Sequence, residues 1–179
     1  MWNIHGVIPP VGYNSETERD RSPYTVSMKR FVKDFATSAA RIDILEGLIT
    51  YRSKLCGLGL NGGFQWVDGS FTEDIETLQN RPPNDVDVVT FADFSKIRED
   101  TSDVGVITDA ATVKNTYKVD AFIVDLSKAP ERIVQDCTYW YSMWSHQRDT
   151  RQWKGFFEIP LGDDTTAKQI LEGIKNDYT

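Results

Sequence analysis

The sequence predicts a single α/β (α+β) domain, a mixed β-sheet flanked by helices. Short Val- and aromatic-rich runs alternate along the chain with longer stretches of helical periodicity. No internal repeat or low-complexity tract interrupts that alternation. The 179 residues, 40% hydrophobic and 26% charged, suffice for one cored globular domain.

Residues 1–24 read as an extended lead-in, rich in Pro, Gly and polar residues, with Pro9-Pro10 and a charged Glu16–Arg21 stretch. Residues 25–179 form the expected domain. Val26, Met28, Phe31, Val32 and Phe35 recur at helical spacing. Ile42, Leu45, Leu48, Ile49 and Leu55 mark a longer amphipathic helix that ends near Gly57. Phe64 to Val67 reads as a strand closed by Asp68-Gly69-Ser70, and Thr72 to Leu78 as a short helix with acidic residues in its first turn. Pro82-Pro83 fixes a loop from Gln79 to Asn84. Asp85 to Phe91 alternates and is Val-rich, so it reads as a second strand.

Residues 92–116 carry the weakest pattern, helical or irregular with Gly105 as a break. Tyr117 to Leu126 reads as a third strand. In Pro130 to Gln147, Ile133, Val134, Cys137, Trp140, Tyr141 and Trp144 share one helical face, which predicts a core-facing helix. Gly155 to Leu161 is a further strand. Thr165 to Lys175 is a closing helix, capped by Asp164 or Thr165.

The net charge of -7 and pI near 4.8 argue against duplex DNA as the partner. They favour a small molecule, a protein, or a nucleotide delivered with its own metal ions; RNA stays open. No apolar run approaches the ~20 residues that span a bilayer, and no signal-peptide h-region is present. The expectation is a cytoplasmic protein without a membrane partner. Cys56 and Cys137 stand far apart and read as two buried apolar cysteines in a reducing compartment. His5 and His146 are equally isolated, which excludes structural zinc.

The informative stretch is Asp68-Gly69-Ser70-Phe71 followed by Asp85-Val86-Asp87. On a strand, Asp85 and Asp87 point to one face, roughly 6.5 Å apart. Two such carboxylates repel unless a cation joins them, and hard oxygen ligands suit Mg²⁺ or Mn²⁺. Gly69 allows close backbone approach, and Ser70 opens a turn able to cradle a phosphate. A third carboxylate completes such a site. Asp120 and Asp125 both lie on the Tyr117–Leu126 strand but face opposite sides; Asp120 is the choice and Asp125 the fallback. Its role would be to bind metal or to take a proton from an acceptor hydroxyl. Arg148, Arg151 and Lys154 could line a triphosphate or RNA contact, although a solvated loop is the favoured reading of them.

At Gly69, Ser70, Asp85, Asp87 and Asp120 the sequence resembles the polymerase-β-like nucleotidyltransferases. Their pattern is Gly-Ser, a gap, Asp-x-Asp, then a later acidic residue on a strand. From Trp66 to Val89 it is similar to an uncharacterised, mostly bacterial family of nucleotidyltransferase-like domains. Ile8-Pro9-Pro10, the Phe35, Arg41 and Leu45 pattern, and Lys154-Gly155-Phe156 extend that likeness. The resemblance implies a nucleotidyltransferase-like mixed sheet, Mg²⁺ or Mn²⁺, and a nucleoside triphosphate such as ATP as substrate. Transfer of its NMP group to a hydroxyl on a protein, an RNA end or a small molecule would follow, as in minimal toxin–antitoxin or defence enzymes. Larger members carry a helical domain after the catalytic one, whereas about sixty residues follow Asp120 here. The acceptor site is then built by this domain or by a protein partner. The alternatives are a non-catalytic nucleotide- or partner-binding protein of the same fold, and last a metal-dependent phosphodiesterase, which commonly adds histidines.

Overall fold

A computed structural model describes residues 1–12, 20–97 and 103–178. Most of the Glu16–Arg21 stretch and part of 92–116 lie outside the described residues. The Ser27 hydroxyl accepts from the Arg30 N–H and starts helix α1 (Met28–Phe35); Ser38 accepts from Arg41 N–H and starts α2 (Ala39–Gly57). Met28, Phe31, Val32 and Phe35 bury the inner face of α1, and Ile42, Leu45, Leu48 and Leu55 that of α2. The periodicity predicted both helices.

Five strands form one mixed sheet: β1 (Tyr24–Thr25), β2 (Phe64–Asp68), β3 (Val86–Ala92), β4 (Val119–Asp125) and β5 (Phe157–Pro160), in the order β1-β5-β2-β3-β4. β2 runs antiparallel to β3 and β5, while β3–β4 and β1–β5 are parallel. Between β3 and β4 the chain crosses through α4 (Asp103–Thr108) and α5 (Ala110–Tyr117). Alternation divides the sheet into two faces. Val67, Val86, Val88, Val119 and Ala121 join the large core with α1, α2 and the closing helix α7 (Thr165–Asp177). Trp66, Val89, Phe91 and Val124 join a smaller aromatic cluster under α6 (Pro130–Trp144).

Several sequence expectations change. The lead-in ends in β1, a strand of the sheet, and Val7 and Ile8 within it are buried. Asp68 is the last residue of β2 and not part of the turn, and Asp85 precedes β3. The expected Thr72–Leu78 helix is two pieces, a 3-10 turn over Ser70–Thr72 and α3 (Ile75–Gln79). Gly105 lies inside α4; the chain breaks instead at Asp109, whose carboxylate caps α5. Asp164 occupies the cap position of α7, yet its carboxylate pairs with the buried Arg52 at 2.5 Å.

The largest correction concerns α6. Its aromatic stripe was expected to be core, but among its residues only Trp144 is buried, and Val134 and Tyr141 are exposed. Trp144 is seated in the smaller cluster and Cys137 and Trp140 pack half-buried against it, while a cleft stays open between α6 and the ends of β2, β3 and β4. Among the described residues, no helix is long and apolar enough to cross a membrane. Cys56 and Cys137 are both free, but only half-buried where burial was expected.

Candidate active site

Register builds the site. Asp68 pairs with Asp87 across β2–β3, and Asp87 pairs with Asp120 across β3–β4. Paired residues project to the same side of a sheet, so three carboxylates form a row across adjacent strands, spaced about 4.8 Å apart at the backbone. Asp85, two residues before Asp87, adds a fourth on the same side. All four line a cleft of about 700 Å³ together with Gly69 and Ser70.

The turn under this row is shaped by Gly69, whose φ of 88° and ψ of -170° lie where side-chain-bearing residues rarely go. A Cβ there would stand 2.0 Å from Oδ2 of Asp87. The glycine therefore sets both the turn and the seat of the central carboxylate. Fully buried Arg41 fastens the turn from below: its guanidinium donates to the carbonyls of Phe71 (2.6 Å) and Glu73 (2.7 Å) and pairs with Glu76.

Two ammonium groups answer the acid row. Lys114 of α5 bridges Asp85 (2.8 Å) and Asp120 (2.7 Å), and these partners push its pKa up. Close helix contact delivers it: a Cβ on Gly47 of α2 would lie 1.9 Å from the carbonyl oxygen of Tyr117, at the end of α5. Lys154 is buried and bridges Asp68 (3.1 Å) and Glu73 (2.8 Å). Burial alone would lower its pKa, but the two carboxylates outweigh that and raise it. Gln147 donates to the other oxygen of Glu73 at 2.7 Å, and Thr72 donates to Asp68 at 2.9 Å.

Electrostatics single out Asp87. Burial, then repulsion from Asp68, Asp85 and Asp120, pushes its carboxyl up to about 7. Burial pushes Asp68 up to about 6 in spite of Lys154. Four carboxylates thus face two lysines, and within the row Asp68 and Asp87 change charge near neutrality. All of its donors are carboxylate oxygens, the chemistry that Mg²⁺ or Mn²⁺ takes. As the side chains stand, no group of three or more His, Cys, Asp or Glu among the described residues closes around a metal position. The Lys114 ammonium is seated between two of the candidate ligands.

Gly69, Ser70, Asp85, Asp87 and Asp120 thus share one cleft, while the fallback Asp125 is elsewhere, accepting from the N–H groups of Phe94 and Ser127. Arg148 lines the cleft; Arg151 does not, and Lys154 is a buried ion-pair partner and not a solvated loop residue. Sequence reasoning missed Asp68 and Glu73, and it offered Lys154 as a triphosphate or RNA contact but not as their ion-pair partner. The signal for Asp68 was its parity with Trp66, which places it on the face of the sheet opposite Val67. Nothing local links Lys154 to Glu73, 81 residues away.

Residues 1–160 match a family model described as a family of unknown function (DUF6932). No curated protein and no solved structure matches the chain.

Proposed function

The chain belongs to DUF6932, a family of unknown function, and we propose that it is a metal-dependent nucleotidyltransferase. It moves an NMP group from a nucleoside triphosphate to a hydroxyl on a protein, an RNA end or a small molecule. The observation that carries this reading is the carboxylate row Asp68–Asp87–Asp120 with Asp85, set over the Gly69-Ser70 turn in one cleft.

Asp85, Asp87 and Asp120 would hold Mg²⁺ or Mn²⁺, which neutralises phosphate charge and lowers the pKa of a bound hydroxyl. The chain's own work is to position and to handle the proton. Gly69 lets the backbone come close to a phosphate, and Ser70 lines the same cleft. Asp120 is the exposed end of the row, with 28% of its side chain accessible, and stands where an acceptor hydroxyl could reach it. Lys154 keeps Asp68 and Glu73 compensated behind the row, so that the turn holds its shape. The acidic balance favours a protein or small-molecule acceptor over RNA.

A second reading has its own support. Lys114 stands between Asp85 and Asp120, a cation already placed where the transferase reading puts metal. That favours a protein that binds nucleotide or a partner without turnover. One experiment separates the two. The pure protein is incubated with Mg²⁺ or Mn²⁺ and each labelled triphosphate, alone and with cell extract. Transferred label with released pyrophosphate, abolished by Asp85→Ala and by Asp87→Ala, supports the transferase. Tight nucleotide binding with neither product supports the binding protein.

A further inference from the structure

The cleft has a second half that the acid row does not use. Facing the carboxylates, α6 contributes Tyr139, Trp140 and Met143 to the same cavity. Phe122 follows Asp120 by two residues on β4, so both project to one side, roughly 6.6 Å apart along the strand. Trp140 packs on Phe122 with ring centroids 4.6 Å apart, then on Trp144 at 5.5 Å. Trp144 in turn meets buried Phe156 at 6.0 Å. The aromatic wall is therefore anchored to the smaller core, and its distance from Asp120 is set by one repeat of the strand.

That wall is left uncovered. Tyr139 is 54% exposed and Met143 47% exposed, although both line a cavity. Large apolar side chains turned into a charged cleft call for a ligand with two unlike ends. An inorganic polyphosphate would use only the acid floor and its metal. An apolar peptide would bury uncompensated carboxylates, which is unfavourable. A molecule with an anionic, metal-binding end and a flat apolar end satisfies both halves.

We propose that Tyr139, Trp140 and Met143 form a stacking seat for the heterocycle of the nucleotide whose phosphates lie over the acid row. This rests on the nucleotidyltransferase reading and adds to it the part of the substrate that α6 holds. Stacking requires a π-face and not a particular base, so the seat accepts purines and pyrimidines alike. Gln147, a buried amide lining the same cleft, is already engaged with Glu73 and Thr150 and does not read the base.

Calorimetric titration in Mn²⁺ tests the seat without any need for turnover. The probes are ATP, UTP and inorganic tripolyphosphate, titrated into the full chain and into a Tyr139→Ala/Met143→Ala variant. Both substituted side chains are exposed, so the variant keeps its fold, which circular dichroism verifies. Wild type binds ATP and UTP at least about tenfold more tightly than tripolyphosphate. In the variant that advantage falls to near unity, while tripolyphosphate binding is unchanged. If tripolyphosphate matches the nucleotides in wild type, or the variant keeps the advantage, the seat is wrong and the floor assignment survives. If none of the three binds, the nucleotidyltransferase reading fails along with it.

Discussion

Gly69 and Asp87 are fitted to each other: a Cβ on the glycine would lie 2.0 Å from Oδ2 of the aspartate. The backbone there also holds φ at 88° and ψ at -170°, a region that costs a side-chain-bearing residue on the order of 1–3 kcal/mol. Gly69→Ala therefore meets strain and a clash together. Stability in urea is expected to fall by about 2 kcal/mol or more. Mn²⁺ affinity, read by titration calorimetry, should fall too, because Asp87 is pushed out of the row. A variant with unchanged stability would show that the turn is not strained as described.

Asp87 gives a pH prediction with a definite sign. Its carboxyl is raised from 3.8 to about 7, so between those values the folded chain binds a proton that the unfolded chain has released. The metal-free protein thus loses stability as pH rises through that window. Asp87→Asn removes the penalty. In EDTA the variant should be more stable than wild type at pH 8, by a few kcal/mol at most, with a smaller gap at pH 5. Chemical denaturation at the two pH values measures it. For wild type, Mn²⁺ binding should tighten as pH rises through 7, since the metal must displace that proton. A variant less stable than wild type at pH 8 would mark Asp87 as structural.

Lys114 competes for two of the carboxylates assigned to metal. Its side chain is nearly half exposed, so its ion pairs contribute about 1 kcal/mol or less to stability. Lys114→Ala should leave the denaturation midpoint almost unchanged and strengthen Mn²⁺ binding several-fold. Paramagnetic relaxation or calorimetry would detect the change. Weaker binding in the variant would mean that Lys114 holds the row in shape and does not block it.

How much of this was legible depends on whether the signal was local. Helical spacing from Val26 to Leu55 and alternation in Asp85–Phe91 are local: both helices form, and the strand forms one residue later, at Val86–Ala92. The parity of Asp85 and Asp87 is local as well. The sheet order is not, because β5 inserts between β1 and β2 through pairings such as Trp66 with Glu158. The row Asp68–Asp87–Asp120 needs β2, β3 and β4 as neighbours in a set register, which no local pattern gives either. The stripe on α6 illustrates the other limit. Amphipathic spacing says which residues share a face, and says nothing about whether another element covers it. Here Trp144 is buried and Cys137 and Trp140 are half-buried against the smaller cluster, while Val134 and Tyr141 of the same stripe stay exposed.

Lys154 tests how the site is supported from behind. It is only 3% exposed and sits between two buried acids, Asp68 at 3.1 Å and Glu73 at 2.8 Å. Lys154→Met removes the cation and leaves both carboxylates without it, a change that costs roughly 3–5 kcal/mol. The loss depends on pH in a stated direction. Without the lysine, the already raised carboxyl of Asp68 rises further, so the folded variant holds its proton to higher pH. Its deficit relative to wild type should then be smaller at pH 5 than at pH 8, by urea denaturation. Adding Asp68→Asn and Glu73→Gln to Lys154→Met removes the buried charge and should restore most of the stability, since the remaining groups can hydrogen-bond while neutral. If the triple variant is no more stable than Lys154→Met alone, the particular hydrogen bonds that the ammonium and the two carboxylates make, and not the uncompensated buried charge, hold the turn beneath the carboxylate row.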